Sequence, residues 1–248
     1  MSSVSAWQLL FCAVTIICAF TVRGATGFGG GALATPLLAL VLPVQIVIPV
    51  VTVLNFVASV EHGIRHRRAI CWPEVLFTFP FTAGGLALGL YLLASLHSDV
   101  LRKGLGAFVI LYALFAFATA ANPMRAPPSV LRPLGAVLAF AAAFVGTLFG
   151  AAAGPLYAIY YSNLDLDRTA LRVTITVSLL ILAGMRITGY AGLGLYDRAT
   201  LIVLGVALPF MWMGARVADR ITAMISGPAF NRIVGATLLV SGAALLLK

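Results

Sequence analysis

Long apolar stretches, separated by short loops, occupy almost the whole chain and limit what it can fold into. A helix that crosses the hydrocarbon core of a bilayer needs about 20 apolar residues. Ten candidate segments are present: residues 5–22, 24–42, 43–61, 73–96, 104–121, 132–150, 154–163, 168–190, 199–215 and 229–247. Hydrophobic residues make up 62% of the 248 positions and charged residues only 9%, a composition that soluble globular domains do not have. We therefore predict an all-α polytopic membrane protein with a single integral membrane domain.

The net charge of +9 would favour a nucleic-acid partner in a soluble protein. Here the basic residues are spread over short loops between apolar segments, where cytoplasmic Lys and Arg are expected anyway. The three cysteines, Cys12, Cys18 and Cys71, lack the spacing of a metal site or of a disulfide framework. We expect no nucleic-acid partner, no metal and no cofactor.

Two pairs of neighbouring segments are joined by almost no loop. The pairs are 5–22 with 24–42, and 132–150 with 154–163, whose last segment is too short to cross a bilayer. Each pair is either a re-entrant helical hairpin, whose tip must then be buried in protein, or a pair of tilted full spans. The sequence leaves both alternatives open.

Several motifs recur along the chain in the same order. Gly31, Pro36-Leu37, Pro80-Phe81 and Gly85 match Gly150, Pro155-Leu156, Pro209-Phe210 and Gly214, respectively. We therefore predict two diverged repeats, residues 1–121 (the first half) and 132–248 (the second half), joined by a cytoplasmic linker at 122–131. Each half contains five of the candidate segments. Because five is odd, the second copy enters the membrane from the opposite side, which predicts two inverted-topology repeats.

The charges of the loops predict the orientation. Loops on one side carry Arg65, Arg67, Arg68, Arg125, Arg132, Arg168, Arg216, Arg220 and Arg232, whereas those on the other carry Arg102, Lys103, Arg198 and the terminal Lys248. The positive-inside rule places the first set in the cytoplasm. Both termini are then extracytoplasmic in a multi-pass protein of the inner membrane.

Two glycine-rich motifs interrupt the apolar pattern at corresponding places in the two halves. They are Gly27-Phe28-Gly29-Gly30-Gly31 and the stretch from Gly146 through Gly150 to Gly154. Free N–H groups at a helix start, together with the helix dipole, attract anions. Close helix packing is the alternative for such glycines, although three consecutive ones cost more helix stability than packing requires. We predict broken or re-entrant helices at both motifs.

Polar residues inside the apolar segments supply further candidates, because a charge within a membrane is costly unless it has a function. All seven carboxylates fall in loops or at segment ends, and the arginines within segments therefore favour an anionic substrate. The candidate substrate-binding residues are Arg23, Gly27, Phe28, Gly29, Gly30, Gly31, Asn55, Gly150, Gly154, Arg172 and Thr174. His62 and Arg186 are gating or secondary candidates.

The motif Gly27-Phe-Gly-Gly-Gly31, followed by Pro36-Leu-Leu38, and its weaker copy at 150–156 resemble those of the TauE/SafE family. Trp72-Pro73 and Gly84-Gly85-x-x-x-Gly89 extend the likeness over nearly the whole chain. This resemblance to a group of sulfite and organosulfur anion exporters implies a permease for small sulfur-containing or carboxylate anions, with the glycine motifs lining the pathway. The second copy has alanines where the first has glycines, so the site is not expected to be symmetric.

We therefore predict a secondary transporter that exports a small anion, such as sulfite or a sulfonate, by alternating access between the halves. Coupling to a proton or another ion is left open, as is the oligomeric state. An anion channel of the same build is the alternative. An intramembrane enzyme is a third and weaker one, because no Ser/His/Asp set and no paired carboxylates lie within the segments.

Overall fold

The computed structural model describes residues 5–26, 30–65, 67–119, 127–150, 153–221 and 240–246. Within them all regular structure is helical. The α-helices are α1 (Ala6–Thr26), α2 (Gly30–Ala39), α3 (Val44–Arg65), α4 (Trp72–Ser95), α5 (Ser98–Thr119), α6 (Pro128–Phe149), α7 (Ala153–Tyr161), α8 (Arg168–Gly192) and α9 (Arg198–Ile221). A 3₁₀ helix lies at Arg67–Ala69, and residues 240–246 are also helical.

Five of these helices are long and apolar enough to cross a membrane. The stretches are Ala6–Arg23, Trp72–Ser95, Ser129–Phe149, Thr169–Gly192 and Arg198–Ala218, in α1, α4, α6, α8 and α9. A helix of 24 residues such as α4 is about 36 Å long, which exceeds the hydrocarbon thickness of a bilayer. The all-α, polytopic prediction is confirmed for the described residues, while the inverted arrangement of the halves stays a prediction.

Each of the two pairs of segments that are joined by almost no loop consists of a long helix and a short one. The short helices α2 and α7 have 10 and 9 residues, so each is only about 15 Å long and covers about half of the hydrocarbon core. The predicted segment 24–42 has the wrong bounds, because residues up to Thr26 belong to α1 and α2 is described over Gly30–Ala39. In the second pair, α6 ends at Gly150, whose φ of 68° is a left-handed conformation that suits glycine.

The most extensive helix contacts join the two halves: α1 packs on α9, α4 on α6, and α3 on α8. Glycines permit the close approach, since a Cβ at Gly85 of α4 would collide with the carbonyl oxygen of Phe140 on α6. Likewise a Cβ at Gly214 of α9 would lie 2.6 Å from the carbonyl oxygen of Ile17 on α1. Gly85 and Gly214 are the pair that the sequence matched between the halves, and they make matching contacts.

Helix α3 lies in the interior and packs against α2, α8 and α9. Val47, Val50, Val51 and Leu54 on this helix are fully buried. A polar side chain on α3 is therefore enclosed by protein rather than by lipid, and α3 is where a binding site inside the membrane can be built.

Candidate functional site

A line of polar side chains follows one face of α3. Thr52, Asn55 and Ser59 are spaced three and four residues apart, so they lie above one another on the helix. Thr52 and Ser59 are buried, and the line is about 10 Å long at 1.5 Å per residue. An arginine from another helix binds each end of this line.

Arg23, near the end of α1, binds the end of the line formed by Asn55 and Ser59. Its Nη1 donates to Asn55 Oδ1 at 2.6 Å, and its Nη2 donates to Ser59 Oγ at 2.6 Å. A Cβ at Gly30, the first residue of α2, would lie 3.1 Å from the Cβ of Arg23. The glycine therefore leaves the space through which the arginine reaches α3.

Arg186 of α8 binds the other end of the line and is only 5% exposed. Its Nη2 donates to Thr52 Oγ1 at 2.6 Å, and its Nε donates to the hydroxyl of Tyr190 at 3.1 Å. Tyr190 in turn donates to the carbonyl oxygen of Thr147 on α6 at 2.6 Å. The guanidinium is thus held between α3 and α6 by hydroxyl groups.

Neither arginine has an acidic partner within the part of the chain that the structure describes. The ion pairs found there are Arg102 with Asp99 and Arg132 with Glu74. A buried cation without a counter-charge is costly. A bound anion would relieve this cost, and the planar fork of a guanidinium matches the oxygens of an oxyanion.

Thr35 of α2 adds an unusual hydroxyl next to Arg186. The residue is fully buried, and its Oγ1 has no hydrogen-bond partner among the described residues. This oxygen lies 3.2 Å from the position that a Cβ at Gly150 would take, and Nη2 of Arg186 lies 3.8 Å from the same position. Since buried hydroxyls are normally paired, Thr35 and the guanidinium of Arg186 are two hydrogen-bond donors that a polar ligand would satisfy, although they are closely packed around Gly150 in this conformation.

Gly31 lies between the two arginine clusters. A Cβ on this residue would be 2.8 Å from Asn55 Nδ2 and 2.8 Å from the carbonyl oxygen of Gly150. The sequence matched Gly31 and Gly150 as counterparts, but the structure makes them neighbours: Gly31 is the second residue of α2, and Gly150 ends α6. Their contact closes the space between Arg23 and Arg186 in this conformation.

The structure thus brings most of the described candidates together but places others apart. Arg23, Gly30, Gly31, Asn55, Gly150 and Arg186 meet around α3. Arg172 is exposed, and Thr174, although buried, accepts a hydrogen bond from the backbone N–H of Cys71 at 3.0 Å. Gly154 is buried at the start of α7. Gly27, Phe28, Gly29 and the side chain of His62 lie outside what the structure describes.

Sequence reasoning missed five residues of the site: Thr35, Thr52, Ser59, Thr147 and Tyr190. A helical-face analysis could have found Thr52 and Ser59, because both share the face of Asn55 in an otherwise apolar segment. No sequence signal marks Thr35 or Tyr190, whose role depends on contacts with other helices.

Comparison with known proteins identifies a family and a relative. The family described as "Sulfite exporter TauE/SafE" matches residues 12–245, a range that contains both arginine clusters. The "Probable inner membrane transporter protein TsaS" of Comamonas testosteroni is 28% identical over 198 residues, which cover 79% of this chain and 80% of that relative. No solved structure matches the chain.

Proposed function

The chain belongs to the sulfite exporter TauE/SafE family of membrane transporters, and from this premise we propose that it carries a small oxyanion across the inner membrane. Sulfite, a sulfonate or a small carboxylate is the substrate class. The observation that carries the proposal is the pair of arginines on the polar face of α3, which have hydroxyl and amide partners and no described acidic partner. The family and the relative from Comamonas testosteroni both bear the names of transporters, which supports the expectation that the chain is not an enzyme.

The site around Arg186 supports an anion better than a cation or a neutral solute. Its described polar groups are the guanidinium and the hydroxyls of Thr35, Thr52 and Tyr190. The guanidinium and Thr35 can donate a hydrogen bond to an oxyanion, whereas the hydroxyls of Thr52 and Tyr190 already donate to backbone carbonyl groups. Thr35 and Arg186 both come within 4 Å of a Cβ placed at Gly150, so the site is closely packed in this conformation. A compact anion therefore needs less opening of the site than a bulky one.

The contacts between the halves support alternating access over an open channel. Gly31 and Gly150 belong to different halves, and their tight contact separates the two arginines. An anion can pass between Arg23 and Arg186 only if this contact opens. Such an arrangement suits a carrier, in which two sites are exposed in turn.

Export is the direction that we propose. An anion that leaves the cytoplasm gains about 2.3 kcal/mol per charge for every 100 mV of inside-negative potential. The predicted cytoplasmic loops are rich in arginine, and their field would raise the local concentration of anions at that entrance. Both arguments favour movement outward.

Counterflow in proteoliposomes tests the proposal. Vesicles loaded with unlabelled sulfite, an alkanesulfonate or acetate should accumulate the same labelled anion transiently. Arg186→Gln should abolish this exchange, because it removes the buried charge. Arg172→Gln, which changes an exposed arginine on the same helix, should leave it intact.

Three results would contradict the proposal. In the first, none of these anions exchanges in the wild type. In the second, Arg186→Gln folds and exchanges normally. In the third, current flows without acceleration by a trans substrate, which would indicate an anion channel instead. Arg186→Lys keeps the charge and shows whether a loss in Arg186→Gln reflects the charge or only the fold.

A further inference from the structure

A second polar cluster lies between α4 and α7, away from α3. Glu74, Thr78 and Thr82 are spaced four residues apart on α4, so they share one face. Each is bonded to the hydroxyl of a different tyrosine of α7, in the three pairs Glu74 Oε2 with Tyr160 at 2.5 Å, Thr78 Oγ1 with Tyr161 at 3.1 Å, and Thr82 Oγ1 with Tyr157 at 2.6 Å. We call these six residues the hydroxyl ladder.

The ladder reaches a third helix and borders a cavity. The hydroxyl of Tyr161 is also 2.8 Å from Ser178 Oγ of α8. Thr78, Thr82, Tyr157 and Ser178 line a small cavity at this level. The three tyrosines are almost completely buried. Three successive turns of α4, beginning at Glu74, therefore each place a polar group against a tyrosine hydroxyl, where an apolar interface would be expected of a purely structural contact.

Glu74 differs from the other acidic residues whose side chains the structure describes. It is 9% exposed, whereas those at 99, 165, 167 and 197 are exposed. Its Oε1 pairs with Nη2 of Arg132 on α6 at 3.1 Å, and the Arg132 side chain is 59% exposed. The guanidinium of Arg132 also lies 4.4 Å from the ring centre of Phe77. A buried carboxylate is thus neutralised by a cation that solvent can reach.

Few other charged or titratable groups surround this carboxylate among the described residues. Arg132 faces it from α6, and Tyr160 faces it from α7 with Tyr161 next to it. Cys71, just before α4, lies near Tyr161. Helix α8 contributes the uncharged Ser178. The charge of Glu74 is therefore balanced by Arg132 alone.

The three pairs of the ladder and the Glu74–Arg132 ion pair each join α4 of the first half to a helix of the second half. Relative movement of the halves would separate Glu74 from Arg132. The carboxylate would then be buried without a counter-charge, a state that favours proton uptake. When the ion pair forms again, the carboxylate is ionised and the proton returns to water.

We propose that Glu74 is the binding site of a coupling proton, which it takes up when Arg132 leaves and releases when the ion pair returns. When the guanidinium leaves, a proton from water binds the same carboxylate oxygen. The negative charge of Glu74 is therefore neutralised both with and without Arg132. This inference rests on the proposed anion transport and names the ion that drives it.

The test compares two assays on the same proteoliposomes. Counterflow of a labelled alkanesulfonate needs no net proton movement, whereas net uptake driven by an imposed pH gradient does. A sulfonate is chosen because its permanent charge prevents it from crossing the lipid as a neutral acid, and protein-free vesicles serve as the blank. Glu74→Gln should retain counterflow and lose the response to the pH gradient.

Matched variants separate coupling from structure. Asp99→Asn removes the acid of the other described ion pair, in which Asp99 is exposed, and should change neither assay. Tyr160→Phe keeps the carboxylate and should retain gradient-driven uptake with a displaced pH profile. If Glu74→Gln does not fold, Arg132→Gln replaces it and should lose the gradient response while it keeps counterflow.

The outcomes distinguish this inference from the proposed function. Absence of counterflow in the wild type contradicts anion transport itself. Counterflow in the wild type without any response to a pH gradient overturns proton coupling alone. A folded Glu74→Gln variant that loses both activities, or that keeps both, also overturns the assignment of Glu74.

Discussion

The two arginines that bind α3 come from different halves of the chain. Arg23 and its partners Asn55 and Ser59 all belong to the first half. Arg186 belongs to the second half and binds Thr52 of the first. The comparison indicates that Arg23 is bound within one predicted repeat, whereas Arg186 links the two, so the proposed alternating access would change the contacts of Arg186 and not those of Arg23.

The short helices differ in a related way. Helix α2 is buried and mostly apolar, and Thr35 is the only residue of Gly30–Ala39 with a polar side chain. Helix α7 instead presents three tyrosines to α4. The short helices of the two predicted repeats therefore differ in role. Helix α2 borders the proposed anion site, and α7 supplies the three tyrosines of the hydroxyl ladder.

The largest expected effect concerns the arginines themselves. Arg186→Gln removes a guanidinium that can donate two hydrogen bonds to the anion. At about 1.5 kcal/mol for each bond to a charged group, the loss corresponds to an anion affinity about a hundredfold lower. Arg23→Gln should lower the transport rate but leave the binding of an anion at the Arg186 site within a few-fold of the wild type. Equilibrium binding of labelled sulfite in detergent measures both variants. Equal losses of affinity would contradict the division of tasks between them.

The second prediction concerns the contact between the halves at Gly31. A methyl group there meets the amide of Asn55 and a backbone carbonyl, both 2.8 Å away. The resulting overpacking, at about 1–3 kcal/mol, should lower exchange about tenfold or more in Gly31→Ala. Gly184→Ala is the matched control, because its methyl group makes only an ordinary contact, 3.5 Å from the ring of Phe56 on α3. If counterflow is reduced equally in both, the Gly31 contact has no special role.

The third prediction tests the equivalence of the α4–α6 and α9–α1 contacts. Gly85→Ala and Gly214→Ala each force a helix away from a neighbouring carbonyl group and should destabilise the protein by similar amounts, about 1–3 kcal/mol. Gly205→Ala in α9 has open space around it and should be neutral or stabilising. Thermal unfolding in detergent measures all three. A large difference between the first two would argue against matching contacts.

The smallest expected effect belongs to Thr35. Its hydroxyl has no partner within the described residues, so Thr35→Val should not reduce the stability of the fold. If the hydroxyl binds the anion, its loss costs about 1 kcal/mol, or about fivefold in the apparent affinity. The KM of exchange and the melting temperature, measured together, show both effects. A lower melting temperature with an unchanged KM would assign Thr35 a structural role.

Sequence reasoning located nearly every helix but ranked the site residues less well. Apolar length alone placed the long helices α1, α4, α6, α8 and α9, because the bilayer requires it. Arg186 was a secondary candidate since its position near a segment end allowed it to reach the surface, yet it is one of the most enclosed polar residues. Arg172, one of the primary candidates, is exposed. Which face of α8 is covered depends on α3, α4 and α7, and no local pattern contains that information.

Glu74 is a second residue whose burial could not be predicted from its place in the sequence. Its place at the start of an apolar segment predicted an ordinary position at the membrane surface, and it does lie at the start of α4. Its burial follows from Tyr160 and Arg132, which are far away in the chain. Hydropathy and backbone freedom are local properties, so the amino-acid order was enough to predict a helical membrane protein that is interrupted near its glycines. Which buried arginines have no acidic partner among the described residues depends on which helices meet, and this became visible only in the folded chain.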